Sequence, residues 1–268
     1  MRATIWGCRG SLATPGEPTI RYGGNTTSVE VRTASGRIVV LDAGTGIRPL
    51  GLALAGERPA RIDLVLTHLH LDHLEGLGFF APLFDPDCAI TIWGPHQEGS
   101  SLRDRVAAYL SPPLFPLPFP EFGSRIEFVE VGAETWQLDG LGITSGVVQH
   151  PGSTLGYRLE EDGRVFTFIP DNELGLAPES GLPLAEGADL LFHDAQYTPD
   201  EYRTRHGWGH TSIDDLPRFL AAAAPKQAVM FHHDPTHADA ALETMADRVR
   251  ELAGREVELG AERSSYEL

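Results

Sequence analysis

The sequence predicts a layered α/β protein in which two β-sheets pack face to face with helices on their outer surfaces. Three observations carry this. Short β-rich runs recur along the whole chain, separated by Gly, Pro and Asp turn signals. Helical patterns are interspersed among those runs instead of forming a block of their own. No linker divides the 268 residues, so one domain spanning 1–268 is expected, long enough to bury a sizeable core without staples.

In chain order, strands are expected at residues 3–7, 28–32, 37–41, 62–66 and 89–93, with a helix at 47–55 after the second and third of these. The second half repeats the texture, with strands at 126–131, 143–149, 155–160, 165–169, 190–193 and 227–231. Helices fit residues 101–110, 213–223 and 238–252, the first two with Ser or Thr available as N-caps. Between them lies Ser111-Pro112-Pro113-Leu114-Phe115-Pro116-Leu117-Pro118-Phe119-Pro120, which is barred from regular helix or central strand by its prolines. Its apolar side chains are costly to leave in water, so this loop is expected to cover the core, line a pocket or form a homodimer contact.

Formal net charge is −17, and Lys226 is the single lysine. Such a surface repels polyanions, which argues against extended nucleic-acid binding. A small anionic substrate stays compatible with it, because bound divalent ions invert the local field. Two cysteines, Cys8 and Cys88, are too few for a disulfide framework and read as free thiols of a reducing cytoplasm. The N-terminal residues lack a signal-peptide pattern, and no run of about eighteen apolar residues occurs, so a cytoplasmic protein without a membrane span is expected.

Function is concentrated in Thr67-His68-Leu69-His70-Leu71-Asp72-His73, directly after the apolar run 62–66. Imidazoles and a carboxylate are the ligand set of borderline divalent metals, zinc foremost with manganese or iron as alternatives, and no nearby cysteine closes a structural zinc site. Four such residues exceed what one metal with open positions needs. A two-metal centre, with ions about 3.5–4 Å apart, is the economical reading. Later in the chain His150, Asp171, His193 and His232-His233-Asp234 offer the same residue types at the ends of expected strands, where a rigid sheet edge fixes metal geometry.

His68-Leu69-His70-Leu71-Asp72-His73 resembles the HxHxDH signature of the metallo-β-lactamase-fold metallohydrolases. The resemblance extends over nearly the whole chain, through Asp42 in Leu41-Asp42-Ala43-Gly44, then His150, Asp171 and His232. It implies a four-layer αββα sandwich holding two divalent metal ions. By that family's pattern the first ion takes His68, His70 and His150, the second takes Asp72, His73 and His232, and Asp171 bridges them. Asp42 then orients a ligand histidine from behind. Trp6-Gly7-Cys8-Arg9-Gly10-Ser11, His193-Asp194-Ala195-Gln196-Tyr197, Gly207-Trp208-Gly209-His210-Thr211-Ser212 and Phe231-His232-His233-Asp234-Pro235 are similar to the phosphodiesterase and RNase Z-like branch. There, a histidine in the position of His210 assists proton transfer, although His210-Thr211-Ser212 reverses the branch's usual Ser-Thr order.

The expected activity is hydrolysis of a small, cyclic or linear phosphodiester by a metal-bound hydroxide, with Asp72, Asp171 and His210 as catalytic residues. One arginine, Arg9 or Arg158, is expected to meet the substrate, with pocket walls from Phe79, Phe80 or the Pro-rich loop. The alternatives are another ester, thioester or lactone hydrolase, an RNase Z-like tRNA 3′ endonuclease, and a diiron redox protein. The endonuclease of that branch grips tRNA with a protruding arm, for which residues 172–192 offer only a short loop.

Overall fold

The computed structural model describes the backbone of residues 1–268 and the side chains of residues 1–119 and 121–268. In chain order the elements are β1 (Arg2–Gly7), β2 (Ser28–Arg32), β3 (Ile38–Leu41), α1 (Ile47–Glu57), β4 (Arg61–Val65), β5 (Ala89–Pro95), α2 (Leu102–Tyr109), β6 (Arg125–Val131) and β7 (Thr135–Leu138). They continue with β8 (Leu141–Val147), β9 (Leu155–Glu161), β10 (Arg164–Ile169), α3 (Leu182–Ala185), β11 (Leu190–Asp194), α4 (Pro199–Arg205), α5 (Leu216–Ala223), β12 (Gln227–Phe231), α6 (Asp239–Ala253), β13 (Glu258–Leu259) and β14 (Ser265–Glu267). One seven-stranded sheet runs β14-β1-β2-β3-β4-β5-β6, and the other runs β13-β12-β11-β10-β9-β8-β7.

The two-residue alternation of strand side chains explains the four layers. In β3, Val39 and Leu41 face the core between the sheets, while Ile38 and Val40 face outward onto Ile47, Leu50 and Leu54 of α1. In β12 the pattern repeats, with Val229 and Phe231 between the sheets and Ala228 and Met230 against helices α5 and α6. A strand buried on both faces needs an unbroken apolar run, and that is why these strands carry no alternating polar residues. Sandwiching helices outside two such sheets buries both outer faces, which is the expected αββα arrangement. No helix is long and apolar enough to cross a membrane among the described residues.

The central strands are parallel: β3, β4, β5 and β6 in one sheet, and β10, β11, β12 and β13 in the other. Parallel strands place their C-terminal ends on one edge, where loops carry function in sheets of this kind. Register brings Ile169, His193 and Met230 side by side, so the chain leaves β10, β11 and β12 at neighbouring points.

Several elements differ from expectation. The helix expected at 213–223 starts at Leu216, because the backbone N–H of Ile213 is committed to the Tyr197 carbonyl at 2.9 Å and Pro217 suits a first helical turn. Segment 172–192 is not merely a loop, since it contains α3. Helix α4 carries a complete capping box, Thr198 with Glu201, and Pro199 in its first turn. Strands β7 and β8 form a hairpin through Asp139-Gly140, both at positive φ, the dipeptide favoured in such turns. Strands β13 and β14 are two and three residues long, too short to leave a periodic pattern.

Candidate metal centre

Each polar residue of the centre follows a strand end. Asp42 follows β3, His68, His70, Asp72 and His73 follow β4, His150 follows β8, Asp171 follows β10, and His232 follows β12. Residues 71–73 form a single 3-10 turn, so the motif folds back on itself within its own length.

Donor atoms converge in two groups. His68, His70 and His150 present ring nitrogens within 4.8 Å of one another, and a carboxylate oxygen of Asp72 with ring nitrogens of His73 and His232 forms a second such group. Asp171 lies between the groups, with Oδ1 4.0 Å from His68 Nε2, 3.8 Å from His150 Nε2 and 3.4 Å from His232 Nε2. Its other oxygen is 3.2 Å from His73 Nε2. All seven residues expected as ligands are therefore brought together. His210 joins them, its Nδ1 3.8 Å from Asp171 Oδ1.

The far ring nitrogens are held by fixed acceptors, which sets each tautomer and aims the free nitrogen inward. His73 Nδ1 donates to Asp42 Oδ2 at 2.8 Å, His150 Nδ1 to the Gly209 carbonyl at 2.8 Å, and His232 Nδ1 to Gln196 Oε1 at 2.7 Å. His68 Nδ1 donates to Thr67 Oγ1 at 3.0 Å, and that hydroxyl donates onward to Asp42. His210 differs, because the nitrogen that faces Asp171, Nδ1, is also the one that donates to Asp194 Oδ2, at 2.9 Å. Sequence reasoning anticipated Asp42 and missed Gln196, Asp194 and the Gly209 carbonyl. The only available signal for the first two was the segment His193-Asp194-Ala195-Gln196-Tyr197 following a strand end.

Backbone conformation is specialised at the same places. Asp42 and His232 occupy the left-handed region, at φ 60 and 58, uncommon for residues with a side chain and costly unless the surroundings enforce it. Asp42 is enforced by three hydrogen-bond donors: the backbone N–H of Thr67 at 2.7 Å, its hydroxyl, and His73. Gly209, at φ 95, passes so close to His150 that a Cβ would lie 2.1 Å from its Nδ1.

Electrostatics follow from crowding in a buried space. Burial and the neighbouring His73 hold His68 below its usual range and so keep it neutral, the form that binds metal. Burial also works to raise Asp72 and Asp171, but the histidines around them outweigh it and hold both carboxyls well below the ordinary range. For His73 burial is likewise outweighed, by Asp171, Asp72 and Asp42, which hold a proton on the ring. This excess of buried acceptors draws positive charge. Among the described residues His68 Nε2 and Asp171 Oδ2 are buried without a hydrogen-bond partner, a costly condition that coordination to a cation relieves. The donor set and these unpartnered atoms fit two divalent ions.

Other expected participants lie elsewhere. Arg9 is fully buried, donating to the carbonyls of Gly23, Asp234 and His237, and is a structural clamp. Arg158 pairs with Glu160 and donates to the carbonyls of Leu184 and Glu186. Phe80 is in the core, and Phe79 lines a separate cleft beside Asn25, Thr45 and Arg48. In the Pro-rich loop, Phe115 packs on the core and on Phe79, so that part of the loop is core cover. His193 donates to its neighbour's carbonyl and packs on Phe219, and His233 donates to the Gly260 carbonyl; neither joins the centre. Beside His68 and His70 opens a cleft of about 360 Å³, into which Gln97, Arg105, Tyr109 and Ser153 also project.

Comparison with known proteins agrees with this geometry. A family model described as a beta-lactamase superfamily domain matches residues 37–233. Ribonuclease Z of Halorubrum lacusprofundi is 31% identical over 241 residues, covering 84% of this chain and 73% of the relative. Among solved structures, the metallo-beta-lactamase fold protein YhfI from Bacillus subtilis superposes with a TM-score of 0.75 at 16% identity, covering 99% of this chain and 98% of that one. A diphosphatase from the PhnP family superposes with a TM-score of 0.71 at 18% identity, covering 100% and 97%. By fold, by its match to the family model and by its relatives, the chain belongs to the metallo-β-lactamase-fold metal-dependent hydrolases, in their RNase Z-like branch.

Proposed function

We propose that the protein is a binuclear metal-dependent phosphodiesterase acting on small diesters. The observation that carries this reading is the position of Asp171 between two three-residue donor groups, His68/His70/His150 and Asp72/His73/His232. Those seven residues would hold the two ions, and the nitrogen and oxygen donor set favours zinc. When bound, divalent ions supply Lewis acidity, lowering the pKa of water and drawing charge from phosphoryl oxygens.

The chain's own residues do the remaining work. Asp42, Gln196 and the Gly209 carbonyl fix the imidazole rings, so the centre is organised before substrate arrives. Ser11 donates its backbone N–H to Asp72 Oδ2 at 2.7 Å and restrains that carboxylate. His210 is anchored through Nδ1 by Asp194, leaving Nε2 to hold a proton for the departing oxygen. Asp194 is buried, and burial raises its carboxyl well above the ordinary range, while burial holds the His210 imidazole below its own.

A second reading, a tRNA 3′ endonuclease, is favoured by the ribonuclease Z relative at 31% identity. Charge favours the small substrate instead. Gripping a folded RNA needs clustered cations, whereas this chain carries a formal −17 and its single lysine, Lys226, is bound to Asp189 at 2.6 Å. A cleft of about 360 Å³ is the size of a small-molecule site. The test is turnover of bis(p-nitrophenyl) phosphate, a cyclic nucleotide, a thioester and a pre-tRNA by the metal-loaded protein. Diester hydrolysis with weak salt dependence supports the proposal; efficient, salt-sensitive removal of a tRNA 3′ trailer overturns it in favour of the second reading.

A further inference from the structure

The cleft beside His68 and His70 contains one cation, Arg105, contributed by the middle of α2. Its guanidinium makes a single hydrogen bond, Nη2 to the Glu98 carbonyl at 3.3 Å, on the exposed side of the helix. Among the described residues, no carboxylate oxygen lies within ion-pair distance of it. Other arginines, among them Arg48, Arg103 and Arg125, also lack a carboxylate partner, so what sets Arg105 apart is its place in the cleft beside His68 and His70.

Its polar neighbours in the cleft are held in place by backbone carbonyls. The Gln97 amide N–H donates to the Pro95 carbonyl at 2.9 Å, and the Tyr109 hydroxyl donates to the Glu75 carbonyl at 3.2 Å, so both side chains are anchored to the backbone. Tyr109 thereby presents a fixed ring to the same cleft. A substrate whose scissile diester reaches the imidazoles extends its remaining atoms along this wall.

From this arrangement we infer that Arg105 recognises a second phosphate, so that the preferred substrates are small diesters bearing a terminal phosphoryl group beyond the scissile one. The inference rests on the phosphodiesterase reading and adds the substrate class to it. A guanidinium binds phosphate oxygens through two parallel N–H donors, and a diester whose one phosphate sits at the imidazoles has no second phosphoryl group to offer it. The neighbouring phosphate of a nucleotide strand offers the same oxygens, so the experiment must separate the two sources.

Binding of thymidine 5′-phosphate, thymidine 3′,5′-bisphosphate and tetrathymidylate to the zinc-loaded protein, by isothermal titration, makes the separation. The bisphosphate is expected to bind about tenfold or more tighter than the monophosphate. That gain should vanish in Arg105→Met, return in part in Arg105→Lys, and exceed anything seen with the tetranucleotide. Because Arg105 is exposed on α2, neither substitution threatens the core, and an unchanged melting temperature checks it. Equal affinity for the mono- and bisphosphate, or a gain that survives Arg105→Met, overturns the inference. Tetrathymidylate binding as tightly as the bisphosphate, with the same Arg105 dependence, overturns it in favour of a strand. Turnover of bis(p-nitrophenyl) phosphate by the wild type reports separately on the phosphodiesterase reading, which can fail while the Arg105-dependent gain stands, or stand while the gain is absent.

Discussion

Replacing Asp42 by Asn tests whether the centre is held from behind by a carboxylate. The left-handed backbone at residue 42 tolerates Asn better than other residues, and the shape is unchanged, so the substitution removes charge and one acceptor without a cavity. Asp42 Oδ1 takes the Thr67 N–H at 2.7 Å, and Oδ2 takes His73 Nδ1 at 2.8 Å. An amide has one oxygen, so its NH₂ must face one of these donors. If it faces His73, the ring is pushed to the other tautomer, with a proton on the nitrogen that points between Asp72 and Asp171. Loss of such a supporting partner weakens metal affinity about 10- to 100-fold, or about 1.4–2.7 kcal/mol. The metal-free protein should lose a further 1–3 kcal/mol or so, the order expected for a buried donor left unpaired. His68 is affected only through Thr67, so one of two ions should be released first. Competition against a chelator, reading both zinc equivalents, and urea unfolding of the metal-free protein measure these quantities. Unchanged affinity at both equivalents would refute the argument that Asp42 sets the His73 tautomer.

Further outcomes follow from other contacts. His210→Ala should keep two metals and lower kcat by about 10²-fold or more on a diester with a poor leaving group, with a smaller loss on p-nitrophenyl esters; equal losses on both would remove it from leaving-group protonation. Gly209→Ala forces a Cβ onto the His150 ring, so zinc stoichiometry should fall even though no expected ligand is changed, and full metal content would count against the packing argument. For pH, burial pushes His193 down to about 4 and His233 down to about 3, both from 6.5. Folded pKa values below the unfolded ones mean that the unfolded chain takes up protons first, so stability is fully present above pH 6.5 and lost as pH falls toward 4 and then 3. For His193 alone the loss is roughly 3 kcal/mol. Urea unfolding of the metal-free protein at pH 7 and pH 4.5 measures it, and a His193→Gln variant with the wild-type pH slope would assign the effect elsewhere.

What could be read in the chain depended on how local each signal was. His68, His70, Asp72 and His73 share one turn, so their convergence is written in consecutive residues. Apart from the family resemblance, His150, Asp171 and His232 were visible as polar residues at strand ends, and by that criterion His193 and His233 were equally good candidates. The difference lies in direction. His193 is still within β11, and strand alternation sends its ring outward onto Phe219 in the helical layer. His232 is one residue past β12, where φ 58 turns its ring off the strand's course toward Asp72 and Asp171, and His233 is carried back toward the Gly260 carbonyl. Asp42, at φ 60 one residue past β3, makes the same turn in the other sheet. No composition or periodicity encodes a left-handed aspartate or histidine; it exists because Thr67, His73 and Gln196 supply partners from the segments that follow other strands. Arg105 was hidden for the opposite reason, since a charged residue in the middle of a short polar helix looks like ordinary solvated surface until the fold sets that helix beside His68 and His70. Asp42 and His232 are thus positions where a local backbone rule is broken because distant partners enforce it, whereas Asp139 breaks the same rule for a hairpin turn alone.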